Sequence, residues 1–116
     1  MKSAILYAGL AATLVLSGCA GSKSIYYWGH YEENLYDMYI APDNATVEAQ
    51  VEEMEADFEN ARAAGKPLHP GFQAHLGFLY FQLGKFDLAR RSFESEKAAF
   101  PESAVLMDRF IKKLEG

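Results

Sequence analysis

Cysteine is nearly absent from this sequence, since Cys19 is the only one among 116 residues. A single cysteine excludes an internal disulfide, so the folded chain must be stabilised by packing. Basic residues are missing from one long stretch: from Ser24 to Ala61 there are ten acidic residues and no Lys or Arg. The formal net charge is −5, which makes a nucleic-acid partner improbable on electrostatic grounds.

The apolar run near the start of the chain, from Ala4 to Val15, is too short for a comfortable transmembrane helix. It follows the basic residue Lys2 and precedes small residues, as in a secretory signal peptide. The run ends in Leu-Ser-Gly-Cys and so resembles the lipobox of bacterial lipoproteins, which implies cleavage before Cys19 and lipid attachment there. Ala20, rather than Asp, implies sorting to the outer membrane. The alternative is an uncleaved anchor in which Cys19 has no role.

Arrangements typical of catalytic or metal sites are missing as well. The serines beyond the signal segment have no nucleophile-elbow context, and the acidic run has neither the spacing nor the glycine turn of a calcium loop. The three histidines, His30, His69 and His75, show no metal-ligand spacing, and we expect each to be a surface or capping residue. We therefore expect no enzyme, no metal and no cofactor.

Helical periodicity is present instead. Every periodic segment after Pro42 repeats at three and four residues and none alternates over a strand length, which predicts that the mature domain is all-α with four to five helices and no sheet. Asn44 or Thr46 can cap the first of these helices. Its apolar stripe comprises Val47, Val51, Met54, Phe58 and Ala61. The last helix is expected to turn Val105, Leu106, Phe110, Ile111 and Leu114 inward.

The stretch from residue 70 to 101 predicts a helical hairpin. Small residues, Gly77 and Ala89, stand where two helices must approach closely, Gly84 fits the turn, and Pro101 ends the second helix. This stretch resembles a tetratricopeptide repeat at Leu76, Gly77, Tyr80, Gly84, Ala89, Phe93 and Pro101. It departs from that pattern at Gln73, where Trp is usual, and at Glu96, where Ala is usual. The resemblance implies a tetratricopeptide-like hairpin with flanking helices and a protein-binding groove, not a reaction.

The first helix of the hairpin, predicted over 71–83, is apolar on two sides. Phe72, Leu76, Leu79, Tyr80 and Leu83 fall on one side, which we expect to pack against the second helix. Ala74, Phe78 and Phe81 fall on the other side. By resemblance to tetratricopeptide repeats, these three and Gln82 line a partner-binding groove. The alternative is that the preceding helix or the aromatic segment covers Phe78 and Phe81 as core.

An aromatic-rich segment occupies the start of the mature chain, within 19–43. Tyr26-Tyr27-Trp28-Gly29 resembles a family of small bacterial outer-membrane lipoproteins with a Tyr-Trp-Gly motif after the lipidated cysteine, often encoded beside a curli-secretion-channel-like lipoprotein. This resemblance implies a partner in an envelope assembly. Tyr26, Tyr27 and Trp28 either cap the helical domain or lie at the lipid headgroups. Leu35, Met38 and Tyr39 have the spacing of a short helix that packs on its neighbour.

These observations divide the chain into a signal peptide (1–18), a lipidated aromatic segment (19–43) and a helical domain (44–116). We expect a lipid-anchored adaptor at the periplasmic face of the outer membrane that binds an envelope protein through the groove and the Tyr26–Trp28 aromatics. The alternative is a lipoprotein regulator of a periplasmic cell-wall enzyme. The acidic run is expected to be a solvated or internally paired face, with a partner-facing surface as the alternative.

Overall fold

The computed structural model describes residues 24–43 and 45–116, and it confirms the predicted all-α class. In these residues five α-helices follow one another: α1 (Tyr31–Ile40), α2 (Val47–Ala64), α3 (Phe72–Gln82), α4 (Phe86–Ala99) and α5 (Ala104–Leu114). A short 3-10 turn, Pro101–Ser103, separates the last two. The described residues contain no β-strand, only one isolated bridge between Tyr27 and Leu68. The predicted signal peptide and Cys19 lie outside the described residues.

Helix α2 begins and ends where local chemistry dictates. The Thr46 hydroxyl accepts a hydrogen bond from the Ala49 N–H at 3.2 Å and so satisfies one of the free donors of the first turn; Asn44, the other predicted cap, lies outside the described residues. Gly65 ends the helix with φ 64°, a left-handed conformation that favours glycine. The predicted apolar stripe is confirmed, since Val51, Met54 and Ala61 are buried and its other members are partly buried.

The hairpin of α3 and α4 lies at the centre of the fold. The ring of Phe93 packs so close to Gly77 that a Cβ there would lie 2.6 Å from Phe93 Cε1, so only glycine fits this contact. Phe72, Leu76, Leu79 and Tyr80 are buried on the predicted side of α3, and Ala89 is fully buried opposite them. The predicted packing face is therefore correct.

Successive helices pack in chain order, with α2 on α3, α3 on α4 and α4 on α5. The core joins α2, α3, α4 and α5 through Met54, Leu79, Phe93 and Met107. At 25 cal/mol per Å², each of these side chains contributes roughly 1.5–3 kcal/mol when fully buried. None of the helices in the described part of the chain is long and apolar enough to cross a membrane.

The predicted inner face of α5 is partly wrong. Met107 is its one buried residue, and Phe110, Ile111 and Leu114 pack against the core from the same side. Val105 and Leu106, by contrast, are exposed. Val105 precedes Met107 by two residues and Leu106 precedes it by one. At 100° per residue, their side chains therefore point about 200° and 100° away from the direction of Met107. Tyr39 of α1, predicted to pack on its neighbour, is also exposed.

Candidate functional site

An apolar groove runs along the side of α3 opposite its buried residues, and at its α4 edge the ring of Phe81 lies 5.7 Å from that of Phe86. Phe78 is 49% exposed and Phe81 is 41% exposed, whereas the residues on the opposite side of the same helix are buried. Gln82 is exposed beside them and Ala74 is partly buried. We call these four residues, Ala74, Phe78, Phe81 and Gln82, the α3 groove. The structure therefore places Phe78 and Phe81 at the surface and not in the core.

The α3 groove has a hollow on each side of Phe78. The smaller one, of about 90 Å³, lies toward α5 and is lined by Phe78, Phe81, Phe93, Phe110 and Lys113. The larger one, of about 480 Å³, lies toward α1 and α2, and its walls include Leu35, Met38, Val47 and Gln82. Phe78 lines both hollows. The smaller hollow, with four phenylalanines and one lysine in its walls, suits an apolar side chain of a partner protein.

Helix α1 forms one edge of the larger hollow and has no buried residue of its own. Its first residue, Tyr31, fixes it to α3: the hydroxyl lies 3.2 Å from His75 Nδ1 and the ring lies 4.3 Å from that of His69. Burial, and secondarily the nearby His69, lowers the pKa of His75; burial and then Glu96 raise the pKa of Tyr31. Both shifts favour a neutral imidazole hydrogen-bonded to a neutral phenol.

The Tyr26–Trp28 aromatics pack on the loop that leads into α3. The Tyr27 N–H donates to the Pro67 carbonyl at 2.9 Å. The Trp28 indole stacks on the His69 imidazole, with centroids 4.2 Å apart and planes 6° apart. Tyr26 meets Phe100, at the end of α4, edge to face at 6.2 Å. This geometry is that of a cap on the helical domain, the first of the two predicted roles.

Gly29, the last residue of the Tyr-Trp-Gly motif, lies directly over the carboxylate of Asp57. Its φ is +50°, and a Cβ at this position would lie 2.5 Å from three atoms of that carboxylate. The next residue, His30, donates its N–H to Asp57 Oδ2 at 2.9 Å, and its Nδ1 lies 3.2 Å from Oδ1. The motif therefore needs glycine so that the backbone can reach a buried acid on α2.

Two further polar side chains are buried beneath this cap. Glu96 accepts a hydrogen bond from the Gly71 N–H at 2.7 Å, and His69 Nδ1 donates to the Pro70 carbonyl at 2.9 Å. The second polar atom of each side chain, Glu96 Oε2 and His69 Nε2, is buried and has no hydrogen-bond partner in the described part of the chain. This hydrogen bond explains why Glu96 stands where the repeat pattern usually has alanine. Alanine could not accept a hydrogen bond from the N–H of Gly71, the residue before α3.

Sequence reasoning missed the burial of Asp57, His69 and Glu96. We expected Asp57 to belong to an acidic face that is solvated or paired with basic residues of the same chain, and His69 to be a surface or capping residue, yet each is only 1% exposed. A signal for Asp57 was present: it lies three residues after Met54 and four before Ala61, within the apolar stripe of α2. The other acidic residues of α2, including Glu52 and Glu53, are exposed.

The predicted binding residues form two separate groups. Tyr26, Tyr27 and Trp28 lie at the start of α3 and the end of α4, whereas Phe78, Phe81 and Gln82 lie toward the end of α3. Eleven residues of α helix span about 16 Å, so one small ligand does not contact both groups. Across residues 24–43 and 45–116, no cluster of three or more His, Asp, Glu or Cys side chains could hold a metal ion.

A family model described as "Domain of unknown function (DUF4810)" matches residues 25–110. The match begins just before the Tyr-Trp-Gly motif and ends within α5, so it includes the cap, the α3 groove and the hairpin in one unit. No curated protein and no solved structure matches the chain.

Proposed function

Because the chain belongs to the DUF4810 family, whose matched region joins the aromatic cap to the helical hairpin, we propose that it is a lipid-anchored interaction module of the bacterial envelope. In this proposal the α3 groove binds an apolar segment of a partner protein. The supporting observation is the exposure of Phe78 and Phe81, two large rings that flank hollows on an otherwise well-packed helix. Large exposed aromatics beside pockets are typical of interaction surfaces.

The resemblance to a tetratricopeptide repeat supports the same surface. The repeat-like positions Leu76, Gly77 and Tyr80 are buried between α3 and its neighbours. This leaves the opposite side of α3 for a ligand, as the resemblance implies. The partner we propose is an envelope protein, such as a curli-secretion-channel-like lipoprotein, and the module acts as an adaptor rather than an enzyme.

The anchor in this proposal is Cys19, acylated after removal of residues 1–18, with the domain at the periplasmic face of the outer membrane. Its support is the Leu-Ser-Gly-Cys sequence, which carries the only cysteine of the chain. Mass spectrometry of the purified protein tests this: we expect a diacylglyceryl-modified Cys19 as the first residue. An intact Met1, or a Cys19→Ala protein that still fractionates with the outer membrane, refutes the anchor.

Partner capture tests the groove. A photo-crosslinking amino acid at Gln82 should trap the partner in intact cells, whereas the same group at the exposed residue Glu94 on α4 should not. Mass spectrometry of the product then identifies the partner. A secretion-channel-like lipoprotein supports the adaptor role, and a cell-wall synthase or hydrolase supports the regulator that is its alternative.

Alanine substitutions separate binding from folding. Phe78→Ala and Phe81→Ala should each reduce capture about tenfold or more, because truncating an aromatic anchor costs about 2 kcal/mol of binding. The melting temperature should change little, since both rings are half exposed. Leu106→Ala is the matched control, because Leu106 is an equally exposed apolar residue outside the groove. If both phenylalanine variants melt as early as Leu76→Ala, the rings serve the core and the groove proposal fails.

A further inference from the structure

Two exposed helix faces at opposite sides of the hairpin combine apolar side chains with opposite charge. The first is on α1, where Glu33, Tyr36 and Ile40 share one face at spacings of three and four residues. Tyr36 is 63% exposed and Ile40 is 65% exposed. Glu32 and Tyr39 flank them, and no basic residue occurs between Ser24 and Ala61. We call Glu32, Glu33, Tyr36, Tyr39 and Ile40 the acidic face of α1.

The second face is on α5, where Val105, Arg109 and Lys112 share one side at spacings of four and three residues. All three are exposed, and they lie opposite the buried Met107 stripe. We call Val105, Arg109 and Lys112 the basic face of α5.

Contacts within the chain neutralise the acids around this basic face. Asp108 bonds to Lys97 at 2.7 Å, and Glu115 bonds to Arg90 at 3.0 Å. The two basic partners, Lys97 and Arg90, both belong to α4. Within residues 24–43 and 45–116, no ion pair involves Arg109, Lys112, Glu32 or Glu33. The charges of both faces are therefore directed to solvent.

The position of the two helices prevents them from pairing within one molecule. Tyr31 of α1 packs on α3 through Phe72 and His75, whereas α5 packs on α4. An isolated layer of repeat-like helices buries its outer faces by stacking on further layers. Among the described residues, the complementary faces belong to the first and the last helix.

From this complementarity we propose that copies of the chain associate head to tail, with the basic face of α5 packed on the acidic face of α1 of the next copy. Tyr36 and Ile40 then cover Val105, while Glu32 and Glu33 lie opposite Arg109 and Lys112. One such contact uses both faces, whereas an anionic lipid surface would satisfy α5 and repel α1. The interface is heterologous, so it builds rings or open chains rather than a closed two-fold dimer.

Substitutions that reverse the charge of each face test the proposal on the full-length chain in detergent. Copies with two different affinity tags are mixed, and recovery of one tag through the other measures association. The basic-face variant carries Arg109→Glu and Lys112→Glu, and the acidic-face variant carries Glu32→Lys and Glu33→Lys. In a sample of either variant alone, the α5 face of one copy has the same charge as the α1 face of the next copy. We therefore expect that recovery of one tag through the other falls about tenfold or more.

Mixing the two variants with each other is the decisive step. The α5 face of the basic-face variant is now acidic, and it meets the α1 face of the acidic-face variant, which is now basic. At the other junction the unchanged basic α5 meets the unchanged acidic α1, so both junctions are complementary. Recovery should return to the wild-type level, and higher salt should reduce both. The matched control is Glu52→Lys with Glu53→Lys, an equal charge change at exposed positions of α2, which should leave recovery unchanged.

Three results overturn the proposal: a wild-type chain that does not recover itself, single-face variants that associate like wild type, or a mixture that stays dissociated. If the basic-face variant instead loses only binding to vesicles that contain anionic lipid, α5 contacts a membrane and self-association is refuted. Phe78→Ala should leave recovery unchanged, because Phe78 lies on neither face. The outcome is thereby independent of the groove and its partner.

Discussion

The indole of Trp28 lies parallel to the imidazole of His69, 4.2 Å away, and this stack joins the aromatic segment to the loop before α3. Trp28 is still 40% exposed, so it covers His69 without being enclosed itself. His69 is in turn surrounded by Tyr31 and Phe72. The packing of the cap on His69 therefore depends on the indole ring of Trp28, which is itself partly exposed to solvent.

Trp28→Ala should lower the free energy of unfolding by about 1–2 kcal/mol, through the lost stack and the newly exposed His69 ring. Thermal unfolding followed by circular dichroism measures this. Tyr39→Ala is the control, because Tyr39 is an aromatic residue of the neighbouring helix that is 76% exposed. Equal melting temperatures for the two variants would show that the stack contributes no stability.

Gly29→Ala should destabilise the cap more than Gly65→Ala destabilises the end of α2. Both residues have positive φ, so each substitution carries a backbone cost of about 1 kcal/mol. Only at Gly29 does the new Cβ also meet the Asp57 carboxylate, since nothing lies within 4 Å of a Cβ at Gly65. The difference between the two melting temperatures isolates this steric contact, and no difference would contradict it.

His75 should make the stability of the cap depend on pH. Its pKa is lowered in the folded chain by burial and by His69, so below the ordinary value of 6.5 the unfolded chain takes up the proton first. The contribution of the Tyr31–His75 contact is thus complete above pH 6.5 and declines as the pH falls below that value. Denaturant unfolding of wild type and His75→Gln at several pH values measures the difference.

Above pH 6.5, wild type should exceed the His75→Gln variant by about 0.5–1.5 kcal/mol, the usual net contribution of one hydrogen bond. The advantage should shrink as the solution is acidified. A difference that grows on acidification would mean that His75 is charged in the folded chain and donates a hydrogen bond to Tyr31.

Tyr80→Phe should cost about 0.5–1.5 kcal/mol, because the hydroxyl donates to Glu55 Oε1 at 2.6 Å and so ties α3 to α2. Burial, and then this bond, raises the pKa of Tyr80. Glu55 is exposed, so water solvates its carboxylate once the phenol is gone, and the loss stays small. Chemical unfolding measures it, with Tyr39→Phe as the control. In a Glu55→Gln background the effect of Tyr80→Phe should be reduced.

Much of the fold follows from side-chain periodicity. The stripe on α2, the close contact of Gly77 with Phe93 and the Thr46 cap were each predictable, because each depends on spacing along one helix or across one hairpin. The two apolar sides of α3 were predictable for the same reason. Their separation into a buried side and an exposed side with Phe78 and Phe81 agrees with the predicted geometry.

The buried polar contacts were not predictable from spacing. Asp57 is buried because the backbone of a segment 27 residues earlier supplies the donor, and local sequence does not reveal such a partner. Glu96 depends in the same way on the Gly71 N–H, 25 residues away. On α5, where Val105 and Leu106 stand beside Met107, three consecutive apolar residues left the helix phase ambiguous.

The bridge between Tyr27 and Leu68 also determines where a pull on the chain before Ser24 would reach the helical domain. If Cys19 is the lipid anchor proposed above, the five residue steps from it to Ser24 extend at most about 17 Å, which would hold the aromatic cap near the lipid surface. Tension on that anchor would act first on the Tyr27–Pro67 hydrogen bond and on the stack of Trp28 against His69. In that proposal the cap would be the first part of the domain to bear the load when a partner bound at the α3 groove is pulled away from the membrane.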